Sequence, residues 1–326
     1  MSRSIVTTRS IGRDGREKGH PGRETPRIAV IIPTRDRAEL LPRSIESLLG
    51  QEFEDWEAVV VDDGSEEDIR SVVERYEEER IRYVRQAPSG AATARNTGVA
   101  VSRAPYVTFL DSDDEAFPSW LGLLVEDFTR RDSDVVCCGA QFVFPPDHHR
   151  DPKAILPRDL GRLFGNRRGL FTQSGTYALR RAVFDAIGGF TDSLPASEHT
   201  ELSFRLLPAA EAHEWRIDVI DRPLIRYYLG RADGLRKNDR AVYEAATYVA
   251  RTHRQLLKKD PRRLWNYLSV AGVRAARLGE YQAAARHFLE AVRVRPRSAR
   301  GWARLALALV PGLRRRWWRR VHQEAG

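Results

Sequence analysis

The chain has 326 residues, 42% of them hydrophobic and 30% charged, which is enough for one large soluble domain with an appendage. Ten arginines and a single acid lie in residues 293–326, so the net charge of +9 is local and does not indicate a nucleic-acid-binding protein. The only cysteines, Cys137 and Cys138, are adjacent, and neighbours on a strand face opposite sides, which disfavours a disulfide and suits a reducing compartment. No segment approaches the roughly 18 apolar residues of a membrane span, and we expect a cytoplasmic protein.

The first part of the chain alternates between apolar strands and amphipathic helices. Residues 1–26 lack periodicity and predict a disordered leader. Strands are then predicted at "RIAVIIP", "WEAVVVDD", "IRYVRQ", "YVTFLD" and "DVVCCGAQFVF". Helices are predicted between them, including a small-residue helix at "GAATARNTGVAVS". This alternation predicts an α/β fold with a mostly parallel, doubly wound sheet.

Beyond the fifth strand the pattern weakens, and residues 145–170 predict a long loop. A strand, a short helix and a Gly-Gly turn are predicted within "SGTYALRRAVFDAIGGF". The next helix is predicted at "SEHTELSFRLLPAA", with Leu202, Phe204 and Leu206 facing inward.

The last third of the chain is predicted to be helical, and "LGEYQAAARHFLEAVRVRPRS" has the Ala, Leu and Phe spacing of one helical-hairpin repeat. The sequence thus predicts a main domain at 27–235, a helical region at 236–310 and a basic amphipathic tail at 311–326. Adjacent tryptophans beside dense arginines in the tail are typical of a segment at an anionic membrane surface, here the inner face of the plasma membrane. The alternative is an amphipathic helix docked on its own domain.

Polar residues lie at the ends of three of the predicted strands. They are Thr34 and Asp36 at the first, Asp62 and Asp63 at the second, and Asp111 and Asp113 at the fourth. Because ligands bind outside the carboxyl ends of strands in doubly wound sheets, these residues predict a site at that edge. An Asp-X-Asp triplet suits a divalent cation such as Mg²⁺ or Mn²⁺, which prefers oxygen ligands and relieves the repulsion between the carboxylates. Alone, such a triplet is more often a set of acids that caps a helix.

Three stretches of the chain resemble family 2 glycosyltransferases, which are nucleotide-sugar-dependent enzymes of the GT-A fold. They are "AVIIPTRDRAELLPRSIESLLGQEFEDWEAVVVDDGS", "GAATARNTGVAVSRAPYVTFLDSDDEAFPSWL" and "GGFTDSLPASEHTELSFRLL", all within residues 27–207. The resemblance implies a GT-A-type sheet and a metal-dependent, inverting transfer of a sugar from a nucleotide-sugar, foremost a UDP-sugar, to a hydroxyl group. We therefore expect an enzyme of cell-envelope polysaccharide, glycolipid or glycoprotein assembly with a saccharide acceptor. Membrane contact by the basic tail would suit an acceptor that is lipid-linked.

The resemblance also assigns roles at the nucleotide. The positions that match the family's nucleotide-binding segments are Pro33, Thr34, Arg35, Asp63, Gly90, Arg95 and Asn96. Arg35 stands where the family often has an aromatic residue, so a guanidinium plane would have to stack on the base. Asp63 matches the acid that accepts the N3–H of uracil, and turn formation with Gly64 and Ser65 is the alternative.

At the metal, Asp113 matches the family's direct ligand to Mg²⁺ or Mn²⁺. Asp111 matches a position that lies nearer the ribose or reaches the metal through water. We therefore expect both Asp111 and Asp113 to contribute to the metal site and to the nucleotide site. Asp114 and Glu115 are expected to be local capping acids.

The family's catalytic base lies in a Glu-Asp pair at the start of the helix after the Gly-Gly turn, and this chain has Glu198-His199 there. His199 can serve as the base, since its unperturbed pKa is about 6.5. It can instead contact the donor or the metal and leave Glu198 as the base. Two alternatives remain: Glu201, which we expect at the surface, or a pair that only caps the helix.

Two other functions compete with glycosyl transfer. A nucleotidyltransferase would need a glycine-rich loop with a basic residue after the first strand, and "PTRDRAEL" contains no glycine. A non-catalytic scaffold on a transferase-like domain remains open because of the Glu198-His199 departure, although the intact Asp-X-Asp triplet argues against it.

Overall fold

The structure is a computed structural model that describes residues 25–145, 150–157, 162–163, 167–168, 173–229 and 238–310. The predicted leader up to residue 24, half of the predicted 145–170 loop and the tail at 311–326 lie outside the described residues.

One large sheet organises the described part of the first 229 residues. Its nine strands are β1 (Ile28–Thr34), β2 (Trp56–Asp62), β3 (Ile81–Arg85), β4 (Tyr106–Phe109), β5 (Glu115–Ala116), β6 (Val135–Val143), β7 (Lys153–Ile155), β10 (Tyr177–Arg180) and β11 (Ile217–Tyr228). The short strands β8 (Arg162–Leu163) and β9 (Arg167–Arg168) form a separate antiparallel pair. The order is β3-β2-β1-β4-β10-β6-β11-β5, with β7 beside β6.

The strands of the first half pair in parallel, as the sequence predicted. β1 pairs in parallel with β2 and β4, and β2 pairs in parallel with β3. β10 is antiparallel to both β4 and β6, and it joins this half to the parallel pair of β6 and β11. The prediction of a mostly parallel GT-A-type sheet is therefore confirmed, with antiparallel strands in its second half.

Helices cover both faces of the sheet. They are α1 (Leu41–Leu49), α2 (Ile69–Glu74), α3 (Ala91–Val101), α4 (Trp120–Arg130), α5 (Arg181–Ala186) and α6 (Glu198–Ala212). Val30 and Ile32 of β1 pack on the face that carries α1, α2 and α4, whereas Ile31 packs on the face that carries α3, α5 and α6. All seven residues of β1 are buried, which explains why its sequence is continuously apolar rather than alternating.

Helix α3 lies very close to the sheet. A Cβ atom at Gly98 would stand 2.3 Å from Cγ2 of Ile31, so only glycine fits at this position. The small residues of this helix therefore place its first turn close to the carboxyl ends of β1 and β2.

The C-terminal third consists of helices α7 (Asp239–Thr252), α8 (Arg254–Leu257), α9 (Pro261–Arg277), α10 (Tyr281–Val294) and α11 (Ala299–Leu309). Side chains of Asn238, Asp260 and Ser298 accept backbone hydrogen bonds at the starts of α7, α9 and α11. Phe204 of α6 is buried among Val249 and other residues of these helices, so the helical region packs on the sheet domain. Among the described residues, no helix has the length and apolarity to cross a bilayer.

Candidate active site

A cavity of 610 Å³ opens at the carboxyl ends of β1, β2 and β4, beside the first turns of α3 and α6. It is lined by eight of the predicted residues: Pro33, Thr34, Arg35, Asp63, Gly90, Arg95, Asp111 and Glu198. The structure therefore brings most of the predicted positions to one place, whereas Asn96, Asp113 and His199 are not part of the cavity lining.

Asp63 fixes the segment that leads into α3. Its Oδ1 accepts hydrogen bonds from the Ser89 amide and from Nε2 of Gln86, both at 2.8 Å, and its Oδ2 accepts one from the Gly90 amide at 2.8 Å. Gly90 has a φ of 93°, a left-handed conformation that favours glycine. Since a carboxylate offers about four lone-pair sites, one on Oδ2 remains for a ligand.

The turn after β2 is organised by the preceding acid, Asp62. Its Oδ1 accepts a hydrogen bond from the Ser65 amide at 2.8 Å, and its Oδ2 accepts one from the Tyr83 hydroxyl at 2.7 Å. Burial opposes ionisation of Asp62, but these hydrogen bonds and the Arg85 guanidinium outweigh it and lower its pKa. The turn role that the sequence offered as an alternative for Asp63 belongs to Asp62.

Arg95 is the buried cation of the cavity. Its Nη2 donates to Oδ1 of Asp111 at 2.7 Å and its Nη1 to Oε1 of Glu198 at 2.9 Å. Burial disfavours the charged guanidinium, but the two carboxylates outweigh burial and raise its pKa. In the same way burial disfavours both carboxylates, and Arg95 outweighs it and lowers the pKa of each. All three groups are therefore ionised at neutral pH.

An acidic cluster lies at the end of β4. Carboxylate oxygens of Asp111, Asp113 and Asp114 lie within 4.8 Å of one another. Burial, together with the negative charges of Asp111 and Asp113, raises the pKa of Asp114 well above its usual value. Ser112 lies between Asp111 and Asp113 in sequence, and its buried hydroxyl has no hydrogen-bond partner among the described residues. Close oxygen donors and an unpartnered hydroxyl fit Mg²⁺ or Mn²⁺.

Asp113 is also held by two arginines that the sequence analysis missed. Nη1 of Arg37 lies 2.9 Å from Oδ1 of Asp113, and Nη1 of Arg43 donates to the Asp113 carbonyl at 3.1 Å. Arg37 lines the cavity as well. Arg37 is three positions beyond Thr34, the polar end of the first strand, and this spacing could have predicted that Arg37 lies at the site.

The expectation that Asp114 and Glu115 cap a local helix is wrong. Glu115 lies in β5 and accepts hydrogen bonds from Arg226 Nη1 at 2.7 Å and from the Tyr228 hydroxyl at 2.6 Å. Asp114 is buried beside the two other aspartates, whereas α4 begins only at Trp120. Both acids contact β11, but Asp114 does so through a long hydrogen bond, 3.4 Å from the Tyr228 amide to its Oδ1.

His199 is buried behind Glu198. Its Nδ1 lies 2.7 Å from the Tyr177 hydroxyl, its Nε2 has no partner among the described residues, and the rings of Phe109 and Phe190 contact it edge-on. Burial, assisted by the positive charge of Arg95, lowers the pKa of His199 to about 4. The imidazole is therefore neutral at neutral pH and faces the protein interior.

Glu201 is fully buried, so the expectation that it lies at the surface is wrong. It accepts hydrogen bonds from Thr191 Oγ1 at 3.0 Å and from Arg205 Nη2 at 2.7 Å, and its Oε1 lies 3.0 Å from His253 Nε2. Burial disfavours its charge, but the hydrogen bonds from His253 and Arg205 outweigh burial and lower its pKa to about 2. Because its lone pairs are occupied, Glu201 is not available as a base.

One wall of the cavity was not predicted at all. Asp192, Ser193, Leu194 and Pro195 line it between α5 and α6. Asn96, which the resemblance placed at the nucleotide, instead binds this wall: its Nδ2 donates to the Phe190 carbonyl at 2.9 Å and to Oδ1 of Asp192 at 2.7 Å. No periodicity marks an irregular segment of this kind.

The sheet order, the helices on both faces and the acidic cavity at the carboxyl edge define a domain of the GT-A type. Residues 29–188 match the sequence profile of glycosyl transferase family 2. Through this domain the chain belongs to the family 2 glycosyltransferases, as the resemblance predicted.

Named relatives lie within the same family. The chain is 28% identical over 208 residues to WcaA of Escherichia coli, a candidate colanic acid biosynthesis glycosyl transferase, and the match covers 60% of this chain and 71% of WcaA. It is 37% identical over 108 residues to the GalNAc(5)-diNAcBac-PP-undecaprenol beta-1,3-glucosyltransferase of Campylobacter jejuni, which covers 31% of this chain and 34% of that enzyme. This chain therefore matches about a third of the length of the second relative.

A solved structure shares the fold. Residues 1–349 of S. aureus TarS, in complex with UDP-GlcNAc, superpose with a TM-score of 0.60 at 18% sequence identity. The superposition covers 86% of this chain and 87% of that chain. At this identity the likeness shows the architecture, including helices beyond the sheet domain.

Proposed function

We propose that the protein transfers a sugar from a nucleotide-sugar, foremost a UDP-sugar, to a hydroxyl acceptor in a metal-dependent, inverting reaction. The observation that carries this proposal is the 610 Å³ cavity in which Asp63, Arg95, Asp111 and Glu198 meet at the carboxyl edge of the sheet. The volume is in the usual range for small-ligand sites, and the edge is where doubly wound sheets bind ligands. The TarS structure of the same fold contains UDP-GlcNAc, which supports a UDP-sugar donor.

The nucleotide base is assigned to the ends of β1 and β2. The remaining lone pair of Asp63 is available for the N3–H of a uracil ring, and the buried hydroxyl of Thr34 has no other partner among the described residues. The Arg35 side chain is 55% exposed and its Nε lies 3.6 Å from Oδ2 of Asp36. We assign the face of its guanidinium group to stacking on the base.

The metal is assigned to Asp111 and Asp113, with Asp114 as a third ligand once it has lost its proton. When bound, a divalent cation would supply positive charge to the leaving diphosphate. Arg37 adds a permanent cation beside Asp113 and lines the same cavity. This arrangement balances a cluster of carboxylates that would otherwise repel an anionic donor.

Glu198 is assigned as the group that receives the acceptor proton. It lines the cavity, and the contact with Arg95 keeps it ionised at neutral pH. His199 faces Tyr177 and is assigned to packing behind it. Since a carboxylate with a lowered pKa is a weak base, the proton moves as the new glycosidic bond forms, when the attacking hydroxyl has become acidic.

A donor assay tests the proposal. The protein is incubated with UDP-, GDP- and ADP-sugars in Mn²⁺, Mg²⁺ or chelator, and the released nucleoside diphosphate is measured. We expect metal-dependent release that falls to background in Asp113→Asn. Glu198→Gln should lower transfer by about 10²–10⁴-fold while donor affinity changes little.

Glu115→Gln is the matched control for Asp113→Asn. Glu115 belongs to the same acidic run, but its carboxylate binds Arg226 and Tyr228 and does not line the cavity, so its loss should leave release close to that of the unmodified protein. Full activity in chelator would contradict the metal assignment. Absence of release from every donor would favour a non-catalytic scaffold.

We also propose a lipid-linked saccharide acceptor, reached by docking the C-terminus on an anionic membrane surface. Residues 291–323 contain ten arginines and no acid. On α11, Trp302 is 52% exposed and Leu309, two turns further along the helix, is 58% exposed, which leaves an apolar surface. Each basic residue near an anionic surface contributes about 1 kcal/mol, and the aromatic ring adds a contribution that salt does not screen. The name of the Campylobacter relative includes an undecaprenol-linked saccharide, which supports this class of acceptor.

Vesicle co-sedimentation tests the docking. The intact protein should bind anionic vesicles and be released partly by salt, whereas deletion of residues 311–326 should release it and leave nucleotide release unchanged. Trp302→Glu should weaken binding, and Val270→Glu, at an exposed position of α9, is the matched control. Binding by the truncated protein, or none by the intact one, would contradict docking, and insolubility after truncation would favour a tail packed on its own domain.

A further inference from the structure

The wall segment, defined as residues 190–197, connects the cavity to the helical region. Asp192, Ser193, Leu194 and Pro195 line the cavity, and Glu198 follows directly as the first residue of α6. The position of Glu198 therefore depends on how this segment is held.

Apolar contacts hold one side of the wall segment. Leu194 and Ala196 are buried in a cluster with Ala241 and Ala245 of α7, against which the ring of Tyr248 also packs. Small residues on α7 allow the segment to approach the helix closely, and these contacts join two parts of the chain that are about 50 residues apart in sequence. Helix α7 thus forms the outer support of the cavity wall.

A polar contact holds the other side. The Glu201 carboxylate accepts a hydrogen bond from Thr191 of the wall segment at 3.0 Å and lies 3.0 Å from Nε2 of His253, at the end of α7. Because Glu201 is ionised and can only accept, Nε2 of His253 carries the proton in this contact. Arg205 of α6 completes the arrangement through its own hydrogen bonds to Glu201. One buried carboxylate therefore joins the wall segment, α6 and the helical region.

The backbone between these two contacts is strained. Ser197 has a φ of 64°, a left-handed conformation that a residue with a side chain seldom adopts. Such a conformation persists only where the surrounding structure imposes it, and here it directly precedes Glu198. Ser197 lies between Ala196, which packs on α7, and Glu201, whose carboxylate contacts Thr191 and His253. The Glu201 amide also donates to the Ser197 carbonyl at 2.9 Å, so Ser197 is restrained from both sides.

We propose that the helical region positions the wall segment, and through it Glu198, by way of the His253–Glu201–Thr191 contact and the packing of α7. Glu201 and His253 are positioning residues, since neither lines the cavity. The expected effect on kcat rests on the proposed function, whereas the expected effect on hydrogen exchange in the wall segment does not.

Hydrogen exchange measured by mass spectrometry tests the proposal on the full chain. We expect His253→Ala to raise amide exchange in residues 190–197 by about tenfold relative to the other parts of the sheet domain. His253→Gln keeps a donor near the position of Nε2 and should restore most of the protection. Thr191→Val removes the contact from its other end with little change in volume and should reproduce the effect.

Arg254→Ala is the matched control, because Arg254 follows His253 directly and its half-exposed ion pair with Glu290 lies within the helical region. It should leave exchange in the wall segment unchanged. In the donor assay, His253→Ala should lower kcat several-fold and leave nucleotide affinity within about twofold, since the nucleotide contacts lie on β1, β2 and α3.

Three results would overturn the proposal: unchanged exchange in both His253→Ala and Thr191→Val, an equal effect of Arg254→Ala, or a uniform rise across the sheet domain. If the unmodified protein releases no nucleotide from any donor, the proposed function fails, and the exchange experiment still decides on the positioning role.

Discussion

Replacement of Arg95 by methionine isolates the electrostatic balance of the cavity. Methionine keeps much of the length of the side chain and removes its charge, which leaves Glu198 and Asp111 without their shared cation. The Glu198 side chain is 11% exposed, and removing the partner of a buried charge typically costs about 3–5 kcal/mol. Asp111 is 36% exposed, so water screens it and its share is only about 0–1 kcal/mol. We therefore expect Arg95→Met to lower the free energy of unfolding by about 3–5 kcal/mol at neutral pH.

The free energy of unfolding lost in Arg95→Met should become smaller as the pH falls. In the unmodified protein the pKa values of Glu198 and Asp111 are lowered, so their contribution is present above the unfolded-state pKa of a carboxyl group and is lost as the pH falls through the lowered values. In the variant, burial is no longer outweighed by Arg95, and Glu198 should take up a proton at higher pH than an exposed glutamate. The difference in stability between the two proteins should therefore narrow as the pH falls from neutral.

Urea unfolding followed by tryptophan fluorescence, at about pH 7 and about pH 4.5, measures both effects. Arg70→Ala is the control, because Arg70 forms an exposed ion pair with Glu74 one turn away, and its loss should change stability by less than about 0.5 kcal/mol. A loss below about 1 kcal/mol in Arg95→Met, or a difference that widens toward acid pH, would refute the reasoning.

Three further predictions concern single residues. Asp63→Asn should weaken nucleotide binding by about 1.5–3 kcal/mol and lower the melting temperature, because the Ser89 and Gly90 amides lose a charged acceptor; calorimetry and thermal unfolding measure the two effects. Because the pKa of His199 is lowered to about 4, burial of the neutral imidazole contributes fully to the free energy of unfolding above about pH 6.5, and this contribution falls by up to about 3 kcal/mol toward pH 4. His199→Gln should reduce this dependence of the free energy of unfolding on pH, as measured by urea unfolding. Gly98→Ala should destabilise the fold by about 1–3 kcal/mol through its clash with Ile31, and an unchanged melting temperature would contradict that close approach.

The parallel half of the sheet was predictable because its buried strands are continuously apolar in sequence. The strands at Ile28–Thr34 and Trp56–Asp62 are buried on both faces, and such strands are continuously apolar and end at polar residues. Since the carboxyl ends of neighbouring parallel strands share one edge, their polar residues had to lie together. The position of the site therefore follows from the strand ends alone.

The antiparallel strand β10 was harder to place. It has only four residues, and nothing local states whether a short strand enters the sheet in the parallel or the antiparallel sense. Its neighbours, β4 and β6, lie about 70 and 40 residues earlier in the sequence.

The division of roles between neighbouring acids could not be predicted either. Asp62 and Asp63 are chemically identical, but the last strand position faces Tyr83 and Arg85 whereas the next residue turns toward the start of α3. Glu201 was assigned to the surface because its partner His253 is 52 residues away. A charged residue on a helix can be predicted to be exposed only if no residue distant in sequence pairs with it. Tertiary packing decides whether such a partner is present.

Helix α6 shows why the helical region bears on the chemistry. Leu202 and Leu206, four residues apart, lie on one side of the helix and pack on the sheet core, whereas Phe204 points to the cluster formed with α7 and α9. A helix with apolar residues on opposite sides is a helix buried between two bodies. Its first residue, Glu198, lies in the cavity, so a displacement of α7 or α9 would be carried through a rigid helix to the acidic group. The two apolar sides of this helix therefore fix the orientation of the carboxylate between the sheet domain and the helical region.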